Sequence, residues 1–306
     1  MRIAVMGTGA VGGYFGAKLA AAGHDVGFVA RGAQLAALKL HGLTIASHAG
    51  NFSITHTVFT DEPAEIGVVD LVLFCVKSYD TLAAAEKIRP LVGAQTQILS
   101  LQNGIDNPDK IASLWGPSRI LAGVVYIAAA IERPAVILHS AGGRIVFGII
   151  DGRDTTRAGS LQDILSAAQI PSEFTPEIRT AQWRKLLWNA PFCAISCLVR
   201  ATVEDILGSD SLRQLAIDCM TEVREAAATK GIWLEETSIA DTLAFSQGLG
   251  SFKPSMLQDL EAGKPLEYQA FNGIVADLLN KTGTVNRVFA QTLSYIDARI
   301  RSEIRS

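Results

Sequence analysis

The sequence reads Gly7-Thr8-Gly9-Ala10-Val11-Gly12 directly after a short apolar run. A G-x-G-x-x-G pattern means little alone. Here the run Arg2 to Met6 precedes it, a helical pattern follows it, and a second strand-like run comes about twenty residues on. In that setting Gly7 permits the tight turn, Gly9 lets the backbone approach a pyrophosphate, and Gly12 allows close helix–strand packing. Thr8, Ala10 and Val11 complete the loop, with the helix N-terminus facing the phosphates. A dinucleotide-binding loop is the reading. The second run ends Phe28-Val29-Ala30-Arg31-Gly32, with Arg31 where an NAD-binding protein usually places Asp or Glu. A guanidinium grips a 2′-phosphate with two donors. Asp25 lies at the wrong end of the run, so no carboxylate is expected to repel that phosphate. The expected cofactor is NADP(H).

A bound dinucleotide does not say what is reduced. Reduction of a ketone needs a proton donor beside the carbonyl and groups that hold the rest of the substrate. All five histidines (His24, His41, His48, His56, His139) precede the C-terminal helical part, and none is expected at a strand end near the nicotinamide. Lysine and glutamate remain. Lys77 follows the run Leu71 to Val76, and Gln102-Asn103-Gly104 follows Gln97 to Leu101. Both positions are carboxyl ends of expected parallel strands, where ligands bind in such sheets. Farther on, Lys185 and Asn189 are four apart and share a helix face. Ser255, after Pro254, is expected to cap a helix, and Glu267 stands in Leu266-Glu267-Tyr268. Each has an ordinary structural explanation by itself. Their joint occurrence is what suggests a site.

The elements that position these residues follow from periodicity. The first half alternates β-branched runs with helical patterns such as Gly12 to Ala22 and Thr81 to Leu91, the signature of a parallel sheet with crossover helices. Gly123 to Ile131 and Arg144 to Ile149 are expected to extend the sheet as strands flanking a loop at Gly142-Gly143. Beyond Thr175 to Arg179 the pattern is helical, with breaks around Gly248 to Pro254 and Gly263 to Pro265 and a kink at Pro191. The fold class expected is therefore α/β. A Rossmann-type dinucleotide-binding domain over residues 1–178 is followed by an all-α substrate domain over residues 179–306.

Composition bounds the alternatives. A net charge of -3 gives no attraction to nucleic acid or to an anionic membrane surface. The longest apolar stretches, such as Ile120 to Ile131, fall short of a membrane span, which needs roughly 18 residues or more. The first strand begins right after Met1, so no removable leader is expected and the cytoplasm is the expected location. Cys75, Cys193, Cys197 and Cys219 form no C-x-x-C pair, and no histidine follows His139 to complete a zinc set. Neither a metal nor a disulfide framework is expected. The oligomeric state stays open, a homodimer included.

Taken together, the motifs resemble the ketopantoate reductase family over essentially the whole chain. The resemblance is carried by Gly7 to Gly12, Arg31, Lys77, Gln102-Asn103-Gly104, Trp183-Arg184-Lys185-Leu186 with Asn189, Ser255-Met256-Leu257-Gln258-Asp259, and Glu267 with Gly273. It implies NADPH-dependent reduction of a small-molecule 2-keto acid, 2-dehydropantoate, to pantoate on the route to pantothenate and coenzyme A. It further implies Lys185 as general acid, with a pKa lowered by burial or a neighbouring cation and with Glu267 limiting the drop. Glu267 would orient the lysine or the substrate hydroxyl. Lys77 and Asn103 would hold the cofactor, and Asn103, Asn189 and Ser255 would meet the substrate.

Two positions depart from the family's pattern. Cys193 stands where a second asparagine is usual, and so takes that place among the substrate-binding positions. A thiol is a poor substitute for a carboxamide. Gln269 replaces the usual acid and is expected to change the charge beside Glu267. Both leave room for a sister reductase of another branched or bulky 2-keto acid. A non-catalytic NADP-binding sensor is the remaining alternative, and the retained Lys185, Asn103, Ser255 and Glu267 argue against it.

Overall fold

The computed structural model describes residues 1–151 and 156–305. The chain separates into two compact units, Met1–Ile178 and Arg179–Ser306.

The N-terminal unit is built on one sheet. Its strands are β1 (Arg2–Met6), β2 (Asp25–Val29), β3 (Leu43–Ser47), β4 (Phe52–Ile54), β5 (Phe59–Thr60), β6 (Val69–Phe74), β7 (Val92–Ser100), β8 (Ile120–Arg133), β9 (Val136–Ile149) and β10 (Ser172–Phe174). They lie in the order β4-β3-β9-β8-β7-β6-β1-β2-β5, with β10 also paired to β9. The run from β8 through β7, β6, β1 and β2 to β5 is parallel. Such strands bury both faces, and the alternation shows it. Ile3, Val5, Leu71 and Leu73 pack on one side with Phe15, while Ala4, Met6, Val72 and Phe74 pack on the other with Ile88 and Ile111. The helices of this unit are α1 (Ala10–Ala21), α2 (Gly32–His41), α3 (Thr81–Lys87), α4 (Asn107–Trp115) and α5 (Thr156–Ala167).

One expectation about the sheet is corrected. The β8–β9 hairpin is antiparallel, and its turn falls at Pro134-Ala135, not at the glycine pair. Gly142 and Gly143 lie inside β9, where Tyr126 pairs with Arg144 and Ile127 with Gly142, leaving Gly143 as the extra residue of a bulge. Both have positive φ, 76° and 108°. A Cβ on Gly142 would sit 2.4 Å from the Tyr126 carbonyl oxygen. A glycine pair suits a bulge for the same reason it suits a loop, so local sequence could not separate the two.

The C-terminal unit is helical: α6 (Ile178–Val199), α7 (Val203–Gly208), α8 (Asp210–Thr229), α9 (Ser238–Gln247), α10 (Ser255–Glu261), α11 (Ile274–Leu279) and α12 (Val285–Arg305). A π-helical turn, Gln269–Gly273, leads directly into α11. A Cβ on Gly273 would fall 2.3 Å from the end of the Gln269 side chain, which would have to move aside. Pro191 lies inside α6 and, lacking an N–H, leaves the Leu187 carbonyl without its helical donor. Among the described residues no helix is long and apolar enough to cross a membrane, and no group of three or more His, Cys, Asp or Glu could hold a metal ion.

Candidate active site

In the N-terminal unit, β1 lies between β2 and β6, so the chain leaves it in opposite directions on its two sides. A crevice opens at the carboxyl ends of the strands at such a point. The loop after β1 is held by its backbone: the Gly7 and Thr8 N–H groups both donate to the Val29 carbonyl, at 3.3 and 3.0 Å. The Thr8 hydroxyl donates to the same oxygen at 2.9 Å, so that side chain serves the loop. Gly7 has φ 98°. A Cβ on Gly12 would stand 2.3 Å from the Gly7 carbonyl oxygen and 2.9 Å from the Cys75 Cβ. At Gly9, by contrast, an added Cβ would meet nothing within 4 Å. Gly7 and Gly12 are therefore required by packing, whereas Gly9 keeps a space open. Gly9 is also the N-cap of α1, no side chain caps that end, and no acid lies in the first turn. Open space over uncapped N–H groups at a positive helix end fits a pyrophosphate.

Lys77 and Asn103 follow β6 and β7, and both are half-buried. Their loops are tied together by Gln102 and by two residues not singled out above, Thr81 and Asn107. The Gln102 Nε2 donates to the Val76 carbonyl at 3.0 Å and to the Thr81 hydroxyl at 2.8 Å. The Thr81 hydroxyl lies 2.9 Å from the Asn107 Oδ1, and the Asn107 Nδ2 donates to the Asn103 carbonyl at 2.6 Å. This buried network fixes the backbone that carries Lys77 and Asn103. Asn107 had no legible signal beyond a polar residue at a helix start.

Arg31 follows β2 and is exposed. The expectation that no carboxylate stands near it is overturned. The Arg31 Nη2 donates to the Asp80 Oδ2 at 2.6 Å. Asp80 ends a 3₁₀ turn, Ser78–Asp80, on the far side of β1, and its N–H donates to the Lys77 carbonyl at 2.9 Å. The strand order β2-β1-β6 brings the two loops together.

The C-terminal unit assembles the other candidates on α6, α10 and the segment before the π turn. Arg184 and Lys185 diverge: Arg184 pairs with Glu235 on the surface, while Lys185 turns into a half-buried position. Burial lowers the Lys185 pKa from 10.5 to about 8, opposed by the neighbouring Cys193 and Glu267. Of the two causes named above, burial is the one at work. Glu267 is itself buried, at 4% exposure. Its backbone is set by Asp297 on α12, whose Oδ1 accepts the Leu266 N–H at 2.7 Å. Asn189 is buried on the same face of α6 as Lys185, and Cys193 is fully enclosed one turn farther on. Lys185, Cys193 and Glu267 thus form one electrostatic cluster.

One local expectation changes. Ser255 is the first residue of α10 and not its cap; Pro254 holds the cap position, and no side-chain cap hydrogen bond forms. Ser255 is exposed. The Gln269 side chain is exposed and donates to the Asp277 Oδ2 at 3.0 Å. As for the histidines, His139 is buried in β9, with its Nδ1 2.9 Å from the Ser47 hydroxyl and its ring 4.2 Å from that of Tyr14.

Comparison with known proteins agrees with this layout. The family profile described as Ketopantoate reductase PanE/ApbA matches residues 3–152, and that described as Ketopantoate reductase PanE/ApbA C terminal matches residues 177–298. A 2-dehydropantoate 2-reductase of Mesorhizobium japonicum is 31% identical over 299 residues, covering 91% of this chain and 91% of that protein. The crystal structure of 2-dehydropantoate 2-reductase from Geobacter metallireducens GS-15 superposes with a TM-score of 0.89 at 34% identity, covering 98% of this chain and 99% of that one. A PanE/ApbA family ketopantoate reductase from Ralstonia eutropha JMP134 gives a TM-score of 0.90 at 30% identity, over 98% of this chain and 100% of that one.

Proposed function

The chain belongs to the ketopantoate reductase family, and we propose that it reduces 2-dehydropantoate to pantoate with NADPH, using Lys185 as the proton donor. The observation that carries the reading is the Lys185 cluster. An ammonium whose pKa is brought down to about 8 by burial is still protonated at neutral pH, yet gives up its proton readily.

In this reading the N-terminal unit holds the cofactor. Gly7 to Gly12 cradle the pyrophosphate, Arg31 takes the 2′-phosphate, and Lys77 and Asn103 hold the ribose and nicotinamide end. The reduced nicotinamide supplies the hydride when bound. The C-terminal unit prepares the ketone. Lys185 donates a hydrogen bond to the keto oxygen, stabilises the alkoxide that forms there and transfers its proton to it. Glu267 keeps the lysine charged against the cost of burial and orients it or the substrate hydroxyl. Asn189 and Ser255 offer hydrogen bonds to the substrate, the Ser255 hydroxyl being exposed and not used as a helix cap.

A second reading, a reductase of another branched or bulky 2-keto acid, is favoured by Cys193. Its enclosed thiol replaces a carboxamide beside the proposed proton donor, which removes one strong acceptor and two donors. The deciding experiment is the loss of NADPH absorbance with 2-dehydropantoate, run beside a panel of other 2-keto acids and an NADH control. Fast turnover of 2-dehydropantoate above the rest supports the first reading. Weak turnover there, with a faster rate on another keto acid, moves the substrate and keeps the mechanism.

A further inference from the structure

We propose that Asp80 is a cofactor-specificity residue, a carboxylate that holds the Arg31 guanidinium and competes with a 2′-phosphate for it. This rests on the reading of Arg31 as the phosphate-binding residue. The observation is the 2.6 Å contact between the Arg31 Nη2 and the Asp80 Oδ2, made by loops 49 residues apart. The Arg31 side chain is 75% exposed and that of Asp80 33%, so the pair sits at the mouth of the crevice and not within a core.

A phosphate and a carboxylate make the same demand on a guanidinium: two oxygens facing its N–H fork. Both cannot take the same N–H at once. A 2′-phosphate arriving at Arg31 therefore competes with Asp80 for the fork and lies beside a like charge, whereas a ribose hydroxyl meets no such repulsion. The hydroxyl also finds in Asp80 the acceptor that NAD-binding proteins place at the end of the second strand, here supplied from the loop after β6. Asp80 thus weakens binding of NADPH while leaving NADH binding unaffected or supported. It narrows the preference that Arg31 creates. The carboxylate has no competing task in its own helix, because Asp80 occupies the N-cap position of α3 without making a side-chain cap hydrogen bond.

The test uses the full chain and equilibrium binding by fluorescence, with NADPH, NADH, 2′,5′-ADP and 5′-AMP as probes. The proteins are wild type, Asp80→Asn, Arg31→Ala and the double variant. Asp80→Asn keeps the shape of the side chain at an exposed site, and Asp80→Ser serves as the second replacement. The expected result is about fivefold tighter binding of NADPH and 2′,5′-ADP by Asp80→Asn, the upper range of what an exposed ion pair contributes. NADH and 5′-AMP should not tighten, the gain should vanish in the Arg31→Ala background, and it should shrink at high salt. If Arg31→Ala loses the preference for 2′-phosphorylated ligands but Asp80→Asn and Asp80→Ser gain nothing, the role of Asp80 is overturned and that of Arg31 stands. If Arg31→Ala leaves the preference intact, both are overturned together.

Discussion

The Asn272 side chain donates to the backbone carbonyl of Ala190 at 3.0 Å, joining the π turn that follows Glu267 to the helix that carries Lys185. Asn272 is fully buried, and its Nδ2 also donates to the Asn286 Oδ1 at 2.9 Å. Asn286 in turn donates to the Cys219 carbonyl at 3.1 Å and to Glu222 at 2.9 Å. One polar chain therefore runs through the apolar centre of the helical unit and fixes the segments on which the candidate acid and its carboxylate stand.

Asn272→Ala removes one donor from the Ala190 carbonyl and one from the Asn286 Oδ1, which keeps the Cys219 thiol as a second donor at 3.3 Å. Each lost hydrogen bond costs about 0.5–1.5 kcal/mol where the acceptor keeps another donor, so a loss of roughly 1–3 kcal/mol for the two is expected in urea unfolding. A variant as stable as the wild type would show that the network is dispensable.

Lys185→Ala is expected to cut kcat by about a hundredfold or more while leaving the Kd for NADPH nearly unchanged. The wild-type rate of ketone reduction should be flat below about pH 8 and decline above it, because the donor must be protonated and its pKa is about 8. A kcat/KM profile that stays flat well above that pH would assign the proton to another group.

Glu267→Gln should move that alkaline limb to lower pH. The carboxylate favours the charged lysine and holds its pKa up against burial, so removing the charge lets the pKa fall further. The readout is the position of the limb and not the rate alone. A purely structural role would reduce activity at every pH without displacing it.

Gly9→Ala and Gly12→Ala should fail differently. At Gly12 the new Cβ meets the Gly7 carbonyl oxygen at 2.3 Å, so the loop or α1 must shift, and both thermal stability and NADPH binding should drop. At Gly9 it meets nothing within 4 Å and the backbone φ is -82°, so the fold should be unaffected while NADPH binding weakens by about tenfold. Equal Tm losses in both variants would contradict the separation of packing from ligand access.

The sequence by itself determined what rests on short-range geometry. The loop at Gly7 to Gly12 was legible because backbone turns and close approaches demand glycine at fixed offsets. The sheet was legible because strands buried on both faces leave continuous apolar runs. The change near Ile178 showed as a change of period. Tertiary structure alone decided which distant groups meet. Asp80 reaches Arg31 because β1 lies between β2 and β6, and nothing near either residue reports a strand order. Gly142 and Gly143 serve a bulge instead of a loop because β9 starts before them, where Val136 to His139 pair with β3, and runs on through them to Ile149. The fall of the Lys185 pKa depends on how much water packing removes from one ammonium, and Asn272 finds Ala190 only once the helical core has formed. Local chemistry fixes which residues are able to act; the environment that sets their charge and their partners is a property of the packed chain.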